Sequence, residues 1–153
     1  LFTNKKYPQT QTPIWNLGLE KQLFMIDHTC TAKQAFNLMI DNKITSLPIT
    51  RHDKMYGVIS MSDIKILGDE NIDAEEILGL DVVEFVKQSR SYVSKLMNTI
   101  PRPVDSVVSC APDSTLHEVI QCMLAFNLHH IYIVNEGTPV NVISFIDVLR
   151  LVV

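Results

Sequence analysis

Two short elements in this sequence carry residues that could do chemistry, and they match. Ser60-x-x-Asp63 follows the apolar run Val58-Ile59, and Ser144-x-x-Asp147 follows Val142-Ile143. The spacing is that of a capping box, in which Ser accepts from the backbone N–H three residues on and the acid reaches back to the N–H of the Ser. The acid also complements the positive end of the helix. The same geometry has a second use. A helix start beside a strand end is an anion site, and a carboxylate placed there can take both hydroxyls of a ribose, as the acid of a dinucleotide fold does. Capping alone explains one copy. Finding the pair at the end of an apolar strand twice, 84 positions apart (60 to 144), points towards ligand binding.

His129-His130 stands just ahead of the apolar run Ile131–Val134. Neighbours on a strand point to opposite faces, so the two imidazoles make poor joint metal ligands. No Cys or Glu stands at a spacing that would complete a metal set. Two readings stay open: one imidazole donates to an anion near the helix start, or both are half-exposed strand-end residues. A nucleophilic reading has less to stand on. Cys30 near His28 and Asp27, or Cys110 near Asp113, supplies suitable residue types. Residues so close in one short loop rarely reach nucleophile–base geometry, and no motif supplies an oxyanion hole. Cys30 and Cys122 read as packing residues. With five glycines in 153 residues and Gly57 standing alone, there is no phosphate loop.

The elements that must position these residues repeat as well. Ala32, Ala35, Phe36 and Met39 form a stripe of helical period, answered by Leu116, Val119, Ile120 and Met123. Met39 and Met123 read as helix core. The first unit predicts a strand at 23–26, a helix capped by Thr31 or Thr29 and ended at Asn42-Lys43, and strands at 47–50 and 56–59. Those strands flank a polar hairpin, Arg51-His52-Asp53-Lys54, and a helix over 61–67 stopped by Gly68 closes the unit. Short helices at 74–78 and 82–88 follow, with Ser89-Arg90-Ser91 breaking the second, and then a rigid Ile100-Pro101-Arg102-Pro103 linker. The second unit restarts with a strand at 107–108 and a helix begun by Ser114 or Thr115 and running to Phe126. Strands at 131–134 and 140–143 and a helix over 145–151 complete it. Residues 1–13 read as polar loop, and Trp15 as part of a short helix capping the core. The expected class is α/β (α+β), two β-α-β-β-α units packed about a pseudo-two-fold axis with two related clefts. The expected division is an extension at 1–22, unit one at 23–68, connecting helices and linker at 69–104, and unit two at 105–153.

Bulk properties narrow the function classes. At 153 residues one domain, or two small units sharing a core, is expected, since either half alone would bury little. A net charge of −4 argues against general nucleic-acid binding. Three cysteines without CxxC spacing suit a reducing compartment. No apolar run approaches the roughly 20 residues of a membrane span. There is no secretory signal pattern and the sequence begins at Leu1, so a fragment of a cytoplasmic or nuclear protein is expected.

The doubled unit, with Thr45-Ser46-Leu47-Pro48-Ile49 and then Gly57-Val58-Ile59-Ser60-x-x-Asp63, resembles the cystathionine-β-synthase (CBS) domain, and two in tandem resemble a CBS pair or Bateman module. The resemblance runs from about Leu23 to the C-terminus. Thr115-Leu116 and Leu128-His129-His130-Ile131-Tyr132-Ile133-Val134 are most similar to gamma regulatory subunits of AMP-activated (SNF1-type) protein kinase. It implies an adenine nucleotide (AMP, ADP or ATP) as regulatory ligand, no required cofactor, and no catalysis. Carried over by position, Asp147 and Asp63 would hold ribose hydroxyls, with Ser144 and Ser60 beside them and Ile143 leading in. Thr29, Cys30, Ile44 and Thr45 would line the adenine end of the Asp147 site, and Ser109, Leu128 and His129 would line the Asp63 site. His129 would face phosphate. Implied partners are a second copy through CBS helix faces and kinase alpha and beta subunits. The chain departs from the family at His130, where those kinases carry Arg with its permanent charge and bidentate fork. It departs again at Asn141, which replaces a Gly, and in having one CBS pair rather than two. The alternative function is a ligand-free pair serving as a dimerisation scaffold.

Overall fold

The computed structural model describes residues 11–19 and 21–153. The expected polar loop at 1–13 therefore lies mostly outside the described residues. Two compact units result. One comprises Phe24–Val107, and the other joins the described residues ahead of Phe24 to Val108–Val153.

In the unit Phe24–Val107, β1 (Ile26–Asp27) leads into α1 (Ala32–Asn42), then β2 (Ser46–Arg51) and β3 (Lys54–Ser60). Thr31 caps α1 in a capping box with Gln34, and Lys43 closes it in the left-handed conformation (φ 54°). β1 pairs parallel with β2, and β2 antiparallel with β3. The hairpin turns on His52 and Asp53, both with positive φ (51° and 63°), the two-residue geometry that matches strand twist. A 3-10 helix (Met61–Gly68), α2 (Ala74–Leu78) and α3 (Val82–Met97) complete the unit. Its core gathers Met39, Leu47, Ile49, Ile59 and Val86, with Phe36 edge-on to Phe85 at 5.5 Å.

The other unit has β4 (Ser109–Cys110), α4 (Leu116–Ala125), β5 (His130–Asn135), β6 (Thr138–Ser144) and α5 (Phe145–Val152). Its sheet repeats the first even to the bulge, which falls after Ile49 in β2 and after Ile133 in β5. Thr115 caps α4 in a box with Glu118. Leu116, Met123, Ile131, Ile133 and Ile143 form the core together with Ile14, which enters from a 3-10 turn (Ile14–Asn16).

Several elements differ from expectation. The strands expected at 23–26 and 107–108 form at Ile26–Asp27 and Ser109–Cys110, because each needs the parallel edge of β2 or β5 to pair with. Ile14 rather than Trp15 fills the core, and Trp15 is 58% exposed. Ser89-Arg90-Ser91 does not break α3. Ser89 is buried and its hydroxyl donates to the Asp63 carbonyl, so the polar group that would favour a break is satisfied within the packing. Met61–Gly68 is a 3-10 helix where its counterpart α5 is α. Gly68 lies inside that segment, and Asp69 ends it.

Candidate functional site

Both Ser-x-x-Asp elements form helix caps at the end of a hairpin strand. In α5, Asp147 Oδ2 accepts from the Ser144 N–H (2.8 Å) and hydroxyl (2.9 Å), while the Ser144 hydroxyl accepts from the Asp147 N–H (3.3 Å). In the 3-10 helix, Asp63 Oδ2 accepts from the Ser60 N–H at 2.9 Å. Both carboxylates are buried, each 8% exposed by residue.

Each carboxylate has a cation beside it that sequence reasoning missed. Lys21 Nζ lies 2.5 Å from Asp147 Oδ2. Arg90 Nε lies 4.0 Å from Asp63 Oδ1, and the guanidinium donates to the carbonyls of Pro103 (2.8 Å) and Val58 (3.1 Å). A cleft of about 330 Å³ opens beside Asp63, lined by Lys65, Arg90 and Arg102 among others. Three cations around one carboxylate suit an anion. Lys21 fell in the expected extension and Arg90 in the expected helix break. One faint signal was available: a cation precedes each repeat, Lys21 before the first and Arg102 before the second.

The two carboxyls are tuned in opposite directions. Burial raises Asp63 above the usual range, only partly offset by the Ser60 N–H, Arg90 and Arg102. Burial also opposes charge on Asp147, but the Lys21 ammonium and the Ser144 donors outweigh it and hold that carboxyl low. A depressed carboxyl contributes stability above its unfolded pKa of about 3.9 and loses it as pH falls through the lower folded value. Asp147→Asn is therefore expected to lower stability by about 1 kcal/mol at pH 7. The gap to wild type should close in acid denaturation below about pH 4. A gap unchanged down to pH 2 would show that the charge at Asp147 contributes nothing.

His130 pairs across the sheet with Ser144, and its ring meets Tyr132 edge-on at 5.5 Å. Burial, then His129 and Lys21, lowers its pKa. His129 is exposed and edge-on to Phe145 at 5.6 Å, and its carbonyl accepts from the Phe145 N–H. Thus His129, His130, Ser144 and Asp147 gather at one end of β5–β6, while the Ile143 side chain is sealed in the core. In the other unit Thr45 joins Ser60 and Asp63, its carbonyl accepting from the Met61 N–H at 2.9 Å, with Ile44 partly buried beside it. Thr29 and Cys30 do not join them. β1 runs parallel to β2, so its end, where the His28 N–H meets the Thr50 carbonyl, lies at the hairpin. From Thr50 back to Ser46 is roughly 13 Å along β2. The Thr29 hydroxyl is bonded to Asp27 Oδ2, and Cys30 packs on the core. Ser109 opens β4 and Leu128 packs on the core of its unit. Burial and the neighbouring Cys122 push the Cys110 thiol up to about 12, which leaves negligible thiolate at neutral pH. Among the described residues no cluster of His, Cys, Asp and Glu could hold a metal ion, and no helix is long and apolar enough to cross a membrane.

The CBS-domain family model matches residues 18–67 and 93–153, more than half of the sequence and both repeats. The chain belongs to the CBS-domain family. It is 29% identical over 145 residues to an Arabidopsis thaliana protein named as an SNF1-related protein kinase regulatory subunit gamma-1-like, covering 90% of this chain and 31% of the relative. The CBS chain thus spans less than a third of the length of that relative. Among solved structures it is similar to a Methanocaldococcus jannaschii protein described as a proposed archaeal homologue of g-AMPK. The TM-score there is 0.69 at 16% identity, over 92% of this chain and 47% of that one. It is also similar to a CBS domain pair solved in complex with 5′-methylthioadenosine and S-adenosyl-L-methionine, with a TM-score of 0.60 at 18% identity over 92% and 94% of the two chains. The identities are low, and the likeness is one of fold.

Proposed function

We propose that this CBS chain is a regulatory module that binds adenine nucleotides (AMP, ADP or ATP), with Asp63 and Asp147 taking ribose hydroxyls, as part of a kinase gamma-like assembly with alpha and beta partners. One observation carries the reading. Both repeats hold a buried carboxylate in a capping box, with a cation alongside that suits a phosphate. The names of the similar proteins, one a kinase gamma subunit and one a pair holding adenosine derivatives, support the same ligand class. His129 and His130 stand at the phosphate side of Asp147. Ile44 and Thr45 stand beside Asp63. Within their own unit Thr29 and Cys30 lie at the hairpin end of β2, away from Thr45 and Asp63.

Calorimetric titration with AMP, ADP and ATP tests this, repeated on Asp147→Ala and Asp63→Ala. A carboxylate holding two hydroxyls contributes about 1.5–3 kcal/mol, so each variant should weaken its own site roughly 10- to 100-fold with the fold retained. Absence of heat with any of the three nucleotides, from folded protein, would sink the proposal. A second reading, a scaffold that pairs with another copy through helix faces, is favoured by the exposed apolar Phe145, Ile146 and Leu149 of α5 (47%, 59% and 53%). Sedimentation of the wild type against Ile146→Glu separates dimer from monomer.

A further inference from the structure

Lys21 is more than a counter-ion. We propose that it sets the ligand class of the Asp147 half-site, admitting phosphorylated nucleosides and discriminating against bare ones. The proposal rests on the nucleotide reading above. Asp147 Oδ2 is shared between Ser144 and the Lys21 ammonium. A ribose diol approaching that carboxylate competes with Lys21 for it. The lysine side chain is 38% exposed against 11% for the aspartate, so it lies on the solvent side of the carboxylate and can swing aside without disturbing the core.

It cannot swing far. The strap that carries it is pinned a short way upstream, where the buried Asn141 amide donates to the Leu19 carbonyl at 3.2 Å, and Ile14 is locked into the core. Asn141 Oδ1 accepts from the Val142 N–H at 2.8 Å, which fixes the amide orientation. The displaced ammonium therefore stays close to His130, whose titration it already influences. A bare nucleoside breaks the Lys21–Asp147 pair and gives the cation nothing in exchange. A nucleotide brings an anion that re-pairs it, and the flexible four-carbon stem of lysine allows that turn. The Asp63 half-site has no such device, because the Arg90 guanidinium is anchored by the Val58 and Pro103 carbonyls.

The test follows the backbone amides of Ser144 and Phe145, which lie in this half-site, by NMR during titration with adenosine and with AMP. The wild type should prefer AMP by roughly tenfold, consistent with charge-assisted pairing. In Lys21→Met adenosine should gain about three- to fivefold, AMP should weaken, and the preference should approach unity. Lys21→Arg, which keeps the charge, should restore much of the preference, whereas a packing role would be met by Met. Binding of both ligands with an unchanged preference in Lys21→Met would overturn the role of Lys21 and leave the nucleotide reading intact. If neither ligand moves those amides in either protein, the nucleotide reading fails and the proposal fails with it.

Discussion

Arg90→Met is expected to lower stability by about 3 kcal/mol, among the largest effects of any single polar substitution in this protein. The Arg90 side chain is 12% exposed, donates to Pro103 and Val58, and stands beside the buried Asp63. Met keeps the packing of the stem, so the loss isolates the guanidinium. Two carbonyls lose a charged donor, and Asp63 keeps a buried charge with less compensation. Asp63 is a raised carboxyl, so its ionisation already opposes folding at neutral pH. Removing Arg90 raises it further. The deficit should therefore shrink as pH falls through the folded pKa of Asp63 towards the unfolded value of about 3.9, where the proton removes the uncompensated charge. Urea denaturation at pH 7 and pH 4.5 reads both quantities. A deficit under about 1 kcal/mol at pH 7, or one that grows on acidification, would contradict this account.

Gly57→Ala is expected to cost about 2–3 kcal/mol, although Ala is the better strand residue. A Cβ at Gly57 would lie 2.7 Å from Val104 Cγ1 and 2.7 Å from the Val104 carbonyl oxygen. The side-chain clash can be relieved; the carbonyl clash requires the strap before the second repeat to move. Arg90 holds that strap through Pro103. The double variant Gly57→Ala/Val104→Ala should recover less than the Val104 side chain alone would suggest. Thermal unfolding of the two single variants and the double variant checks this. Full recovery would show that only Cγ1 stands in the way.

Gly57 and Asn141 occupy the same place in the two repeats, and the contrast shows how the straps work. At Gly57 the strap backbone comes into direct contact, whereas at Asn141 a side-chain amide reaches out and bonds to it. The strap ahead of the first repeat packs with the second, and the strap ahead of the second packs with the first. The departure at Asn141 is thus the anchor of a strap that brings Lys21 to Asp147.

Much of this protein is legible in its sequence because it is written in local terms. The helical stripe of α1, the boxes Thr31–Gln34, Thr115–Glu118 and Ser144–Asp147, and the polar hairpin turns are each contained within a few residues. Capping, periodicity and turn geometry act over that range. The repeat itself needs only comparison of the chain with a shifted copy of itself. What tertiary structure decided is everything that pairs distant residues. Ser89 stays helical because its hydroxyl finds the Asp63 carbonyl, against its local preference. β1 lies at the hairpin end of β2, which separates Thr29 and Cys30 from Thr45. Lys21 meets Asp147 across 126 positions, and Arg90 meets Asp63 only after α3 folds back. A contact of that kind leaves no period or spacing in the chain, since the free energy that forms it comes from burial and charge pairing between segments that local order does not relate.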